Sequence, residues 1–171
     1  PNVASAQATD KENTDMTQEE LDEELKAREK VMRTLNGNED SSTDQWRIYQ
    51  EVVAKLQSNR VPLRYLLQAS AGTGKSFLLE TLYLWCLRNG FHPEACAPTG
   101  IAAARIRVPR TPVTAFTLHH LFAFNLELES QLDVTKPQDE KTQRLQKTTV
   151  MLIDEVSMVD DDTWWAIKDQ L

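Results

Sequence analysis

Hydrophobic positions recur along this chain with helical spacing in some segments and as short continuous runs in others, and the alternation predicts a layered fold. Tyr49, Val52, Val53 and Leu56 fall at i, i+3, i+4 and i+7, which predicts an amphipathic helix over residues 44–58, closed by Asn59 and Pro62. Residues 63–69 are a short apolar run that reads as a buried strand. Residues 75–88 carry Phe77, Leu78, Leu79, Leu82, Leu84, Trp85 and Leu87 nearly all round. That is the pattern of a helix covered on most sides, with Asn89 and Gly90 as its stop. Further on, the pattern predicts a strand at 93–97, short helices at 99–105 and 117–124, a polar stretch at 127–148, and a strand at 149–153. Apolar strands alternating with helices predict a parallel α/β sheet.

The front of the chain follows another rule. Residues 1–16 are small, polar and acidic, with too little apolar surface to offset the entropy of ordering them, so disorder is expected there. From Thr17 a helix is predicted: Thr17 and Glu20 fit a capping box, and Leu21, Leu25, Met32 and Leu35 share one stripe before Asn36 and Gly37 end it. The segment reads as a solvated flanking helix, with a partner-binding helix as the other reading. The expected organisation is an acidic, largely disordered segment over residues 1–42 and a partial compact domain over residues 43–171. A length of 171 residues suits one domain of common size. The start without Met and the stop at Leu171 inside a plausible helix suggest a fragment.

Charge sharpens the picture. The formal net charge is −7, but residues 1–42 hold 11 of the 26 acidic residues and only 5 of the 19 basic ones. The rest of the chain is nearly neutral, so its acidic balance does not exclude an anionic partner. Between Ala95 and Leu126 there is no acidic residue, while Arg105, Arg107 and Arg110 fall together. They read either as a local positive surface or as three solvated arginines. Cys86 and Cys96 sit in apolar runs without the paired spacing of a zinc site and are expected as buried thiols. No apolar run of 18 residues and no signal-like start occur, which argues against a membrane span and for an intracellular, reducing compartment.

Candidate chemistry lies between the first predicted strand and the all-round apolar helix. Ala69, Ser70, Ala71, Gly72, Thr73, Gly74, Lys75 and Ser76 match G-x-x-x-x-G-K-[ST] at every position but the first. Gly72 and Gly74 allow the backbone to turn its N–H groups toward phosphate oxygens, and the helix N-terminus adds the positive end of its dipole. Lys75 can reach the β and γ phosphates of ATP, and Ser76 can ligate Mg²⁺. A positive φ at Ala69 would cost roughly 1 kcal/mol. The second half of such a site is an acid at the end of another buried strand, which Asp154 and Glu155 supply after Val150, Met151, Leu152 and Ile153. Asp154 is the candidate Mg²⁺ ligand through water, and Glu155 the candidate base that orients the attacking water. Lys75 and Glu155 are thus the candidate catalytic residues, and a hydrolase is favoured over a kinase.

These blocks, with residues 97–103, Thr117, Leu118 and His119, and residues 152–159, occur in the order and spacing of the superfamily 1 petite-integration-frequency (PIF-type) DNA helicases, including the helicase part of Helitron transposons. The resemblance covers residues 43–171 and implies an incomplete first RecA-like motor domain, a P-loop fold with helices on both faces of a parallel sheet. It implies that Gln45 reads adenine, and that Pro98, Thr99 and Gly100, with Thr117 and His119, contact single-stranded DNA; Arg105 is added from the acid-free window. His120 stands where serine is usual, and Thr114 and Ala115 where a glycine pair is frequent. A γ-phosphate-sensing glutamine and a second motor domain with arginines are not found after Val159, so this stretch alone is expected to bind Mg²⁺ and ATP but not to unwind DNA. A nuclear or mitochondrial location is implied by resemblance only. A transposon-derived remnant, or a P-loop ATPase unrelated to DNA, are the competing readings.

Overall fold

The computed structural model describes residues 16–35, 37–39, 43–58, 63–108, 115–125, 127–132 and 140–170. The expected disorder of the first residues lies outside this set except at Met16, which packs against the core. Helix α1 (Gln18–Met32) opens on the expected capping box: the Glu20 N–H donates to the Thr17 hydroxyl at 3.2 Å and the Thr17 N–H to the Glu20 carboxylate at 2.8 Å. Its role differs from the solvated flank expected of it. Leu21, Leu25 and Met32 are buried in the main core, and so is Arg28, which donates to Glu24 and Glu80 and lies 4.7 Å from the centre of the Phe77 ring. Asp22 pairs with Arg88, and the Tyr49 hydroxyl donates to Glu29 at 2.9 Å. The charged face of the helix finds partners on its neighbours, so polarity along the sequence misrepresents its burial.

Leu35 leaves the stripe. It sits in a two-residue antiparallel ladder, β1 (Thr34–Leu35) against β2 (Asn38–Glu39), and is half exposed. Gly37, at φ +83°, turns this hairpin, so the glycine marks a chain reversal as well as the end of the helix.

Helix α2 (Asp44–Ser58) and helix α3 (Lys75–Arg88) have the predicted limits. Then follow β3 (Pro93–Ala97), α4 (Gly100–Arg105), β4 (Phe116–Thr117), α5 (Leu118–Leu121), α6 (Glu140–Lys147), β5 (Val150–Ile153) and α7 (Asp161–Lys168). The sheet has the order β4-β3-β5 and is parallel throughout, with Cys96 level with both Phe116 and Ile153. Successive strand residues face opposite sides. Accordingly Ala95, Ala97, Val150 and Leu152 join the core formed with α1 to α4, whereas Cys96, Met151 and Ile153 join a second one with α5 and Ile167 of α7. Helices therefore cover both faces, and the predicted α/β class holds.

Three expectations need correction. Residues 63–69 form no strand: the segment has no regular secondary structure, Tyr65 meets Glu51 and Lys55 of α2, Leu63 and Leu67 pack against the core, and Leu66 is exposed. A strand is held by a ladder, and among the described residues this segment forms none. The helix expected at 117–124 shrinks to α5, because Phe116 and Thr117 pair with β3 and Ala123 adopts φ +50°. Helix α6 lies in the stretch of residues 127–148 for which the sequence pattern predicts no element. It turns Thr142, Leu145 and Arg144 inward, the arginine onto Glu94 and the Phe116 ring, and so has too few apolar positions to give a periodic signal.

Candidate functional site

The turn after residue 69 places the phosphate-loop residues at the start of α3. Gly72 and Gly74 take φ of +78° and +81°, values open to glycine at little cost. Ala69 is not among the non-glycine residues with positive φ, so the alanine in place of the usual glycine carries no strain of that kind. The loop is tied by the Thr73 hydroxyl, which donates to the Ser70 carbonyl at 2.9 Å. Lys75 folds back to donate to the carbonyls of Ala69 and Ser70, each at 2.7 Å. Ala71 is exposed beside them. Among the described residues no side chain caps the N-terminus of α3, and no acid stands in its first turn; a helix N-terminus of this kind is favourable to an anion.

Two distant segments close on this loop. Gln45, from the first turn of α2, donates through Nε2 to the Thr73 carbonyl at 2.9 Å. It lies so close to Gly74 that a Cβ there would come within 2.0 Å of Nε2. On the other side the Ser76 hydroxyl donates to Asp154 Oδ2 at 3.0 Å. Asp154 is held at the carboxyl end of β5 by its own N–H, which donates to the Cys96 carbonyl at 3.0 Å, and its Oδ1 accepts from the Glu155 N–H at 2.9 Å. Glu155 has φ +52°, uncommon for a residue with a side chain. Its carboxylate meets the Arg105 guanidinium at 3.5 Å.

The oxygen donors of Ser76 and Asp154 suit a hard cation of the Mg²⁺ kind, which takes one or two protein oxygens and completes its shell with phosphate and water. Among the described residues no cluster of three or more His, Cys, Asp or Glu could hold a metal by itself.

The second group of candidates lies one strand over. The register Ala97↔Thr117 sets the ends of β3 and β4 side by side. Thr99 caps α4, accepting from the Ala102 N–H, and Thr117 caps α5, accepting from the His120 N–H, each at 3.2 Å. Pro98 is half-buried and Gly100 exposed. His119 is exposed and meets the Phe124 ring edge-on, while His120 stacks on Phe116 with ring centres 4.9 Å apart. Arg110 and Thr114 lie outside the described residues. The acid-free window is not acid-free in space: Arg105 meets Glu155, and the Arg107 N–H donates to Glu80. Sequence spacing gave no hint of either contact, because each joins segments far apart in the chain.

A family model described as an AAA domain matches residues 50–171. The chain belongs to the AAA domain family. It is also 35% identical over 116 residues to the ATP-dependent DNA helicase PIF1 of Candida albicans (strain SC5314 / ATCC MYA-2876). That match covers 65% of this chain but only 12% of the helicase. Both bear out the resemblance read from the motifs. No helix among the described residues is long and apolar enough to cross a membrane.

Proposed function

We propose that this chain contributes the ATP-binding half of a DNA helicase motor, residues 43–171 forming the partial P-loop domain on which α1 is docked. The observation that carries the reading is the convergence of Gln45, the loop of residues 69–76 and Asp154 on one helix N-terminus.

On this reading the N–H groups of Ser70, Ala71, Gly72, Thr73 and Gly74 cradle the phosphates of ATP. Lys75 exchanges its two carbonyl contacts for β and γ phosphate oxygens, which are stronger partners because they carry charge. Ser76 and Asp154 would hold Mg²⁺, which would offset the negative charge of the phosphates. Gln45 reads the adenine edge, and Glu155 orients the water that attacks the γ phosphate. Pro98, Thr99, Gly100, Thr117, His119 and Arg105 line the path of single-stranded DNA, which a phosphate-seeking surface would bind in a salt-sensitive way. In the intact helicase the turnover of ATP is coupled to movement along that strand. Similarity to a DNA helicase supports this over an ATPase unrelated to DNA. Mg²⁺-dependent binding of an ATP analogue that disappears in Lys75→Ala supports the proposal; unchanged affinity contradicts it.

A further inference from the structure

We infer that Arg107 binds phosphates of the nucleic-acid strand alongside Arg105, and that Glu80 is the residue that positions it; this rests on the proposed reading of that face as the path of single-stranded DNA. Arg107 lies just past α4, between Ile106 and Val108, which are 2% and 3% exposed and belong to the main core. Arg107 itself is exposed. Two buried neighbours fix which side of the segment faces outward, but residues 106–108 have no regular structure, so no ladder holds their backbone in place.

Glu80, from the middle of α3, supplies that hold. Its Oε1 accepts from the Arg107 N–H at 3.1 Å, while its Oε2 accepts from Nη1 and Nη2 of Arg28 at 3.3 and 3.4 Å. The Glu80 side chain is only 14% exposed, so the bond to the segment is shielded from water and strengthened by charge. Arg28 has a second task here. A bare carboxylate beside an anion-binding surface repels the anion, and the Arg28 guanidinium balances it. Glu80 therefore grips the backbone of Arg107 and not its guanidinium, whose Nε donates to the Ala104 carbonyl at 3.3 Å. That contact turns the side chain toward α4, the helix that ends on Arg105. Two arginines are thus presented at one helix end, and a planar fork of donors suits a phosphodiester. Contacts of this kind carry no base preference and show themselves in the salt dependence of binding.

The test is fluorescence anisotropy of a labelled single-stranded oligothymidylate with the full 171-residue chain over a range of salt concentrations. Arg107→Gln should weaken binding and lower the slope of log affinity against log salt by about 0.7, the share of one phosphate contact on a single strand. Glu80→Gln should do the same. An amide has one acceptor oxygen, the charged Arg28 takes it, and the Arg107 N–H is left facing an NH₂ group. Arg28 keeps its pairing with Glu24 in that variant, so the buried guanidinium retains an acid partner and the fold survives. In an Arg107→Gln background Glu80→Gln should change the slope no further. Arg28→Lys disturbs the same ion pair but leaves both carboxylate oxygens of Glu80, and should keep the wild-type slope. A wild-type slope in Arg107→Gln overturns the assignment of Arg107. A wild-type slope in Glu80→Gln, or an equal loss in Arg28→Lys, overturns the positioning by Glu80; each of these leaves the proposed function standing. No binding of the oligonucleotide by the wild type overturns both.

Discussion

The Ser76 hydroxyl donates to the Asp154 carboxylate across 3.0 Å, joining the first turn of α3 to the end of β5. Nothing else among the candidate residues ties the glycine-bearing loop so directly to the sheet. The same two oxygens that hold each other here are those proposed to turn toward Mg²⁺, so removing one should be felt only when the cation is present. Ser76→Ala is expected to lower Mg²⁺-dependent affinity for an ATP analogue by about tenfold, the scale of one hydrogen bond to a charged group. Binding measured with excess EDTA should change far less. An equal loss in both conditions would assign Ser76 to the loop's own architecture.

Arg28 places α1 inside the domain. Its side chain is 7% exposed and that of Glu80 14%, and removing one member of such a pair leaves a desolvated charge behind at a cost of roughly 3–5 kcal/mol. Arg28→Ala should accordingly shift urea unfolding by that amount, whereas Lys26→Ala, an exposed change on the same helix, should shift it by about 0.5 kcal/mol or less. Similar small shifts for both would return α1 to the role of a solvated flank.

The same helix shows why local patterns in the sequence reveal some of the fold and not the rest. Helices α2 and α3 and strand β3 were legible to the residue because apolar spacing and stop signals agreed there. The apolar stripe of α1 was legible too, but the depth of its packing depends on Arg28 meeting Glu80 and on Asp22 meeting Arg88, contacts that no local pattern encodes. Residues 63–69 carried the composition of a strand, yet a strand also needs a neighbour, and composition says nothing of neighbours. Within the site, Lys75, Ser76 and Asp154 followed from motif chemistry, and the geometry brings them together. The side-by-side placing of the segments that carry Thr99 and Thr117, and the contact of Arg105 with Glu155, depend on which strands are neighbours and are not readable from spacing.

Both cysteines lie in the core with no exposure. Burial pushes each thiol up to about 12 from its ordinary 9.0. A group whose folded-state value is raised contributes stability below its unfolded value and loses that contribution as pH rises toward the folded one. The unfolding midpoint is therefore expected to fall between about pH 9 and pH 12, with Tyr83, also raised to about 12 by burial, adding to the upper part of the fall. Ellman's reagent at neutral pH should leave both thiols untouched until the chain is unfolded. Rapid modification of the native protein would contradict their burial.

Calorimetric titration of a non-hydrolysable ATP analogue with Mg²⁺ into the wild-type chain and Lys75→Ala tests the central claim most directly. Among the described residues Lys75 donates to the loop carbonyls of Ala69 and Ser70 alone, so its truncation should leave thermal unfolding nearly unchanged while the binding heat, present at one site per chain in the wild type, disappears. Equal affinity in the two proteins, with the fold intact in both, would contradict a phosphate site at residues 69–76.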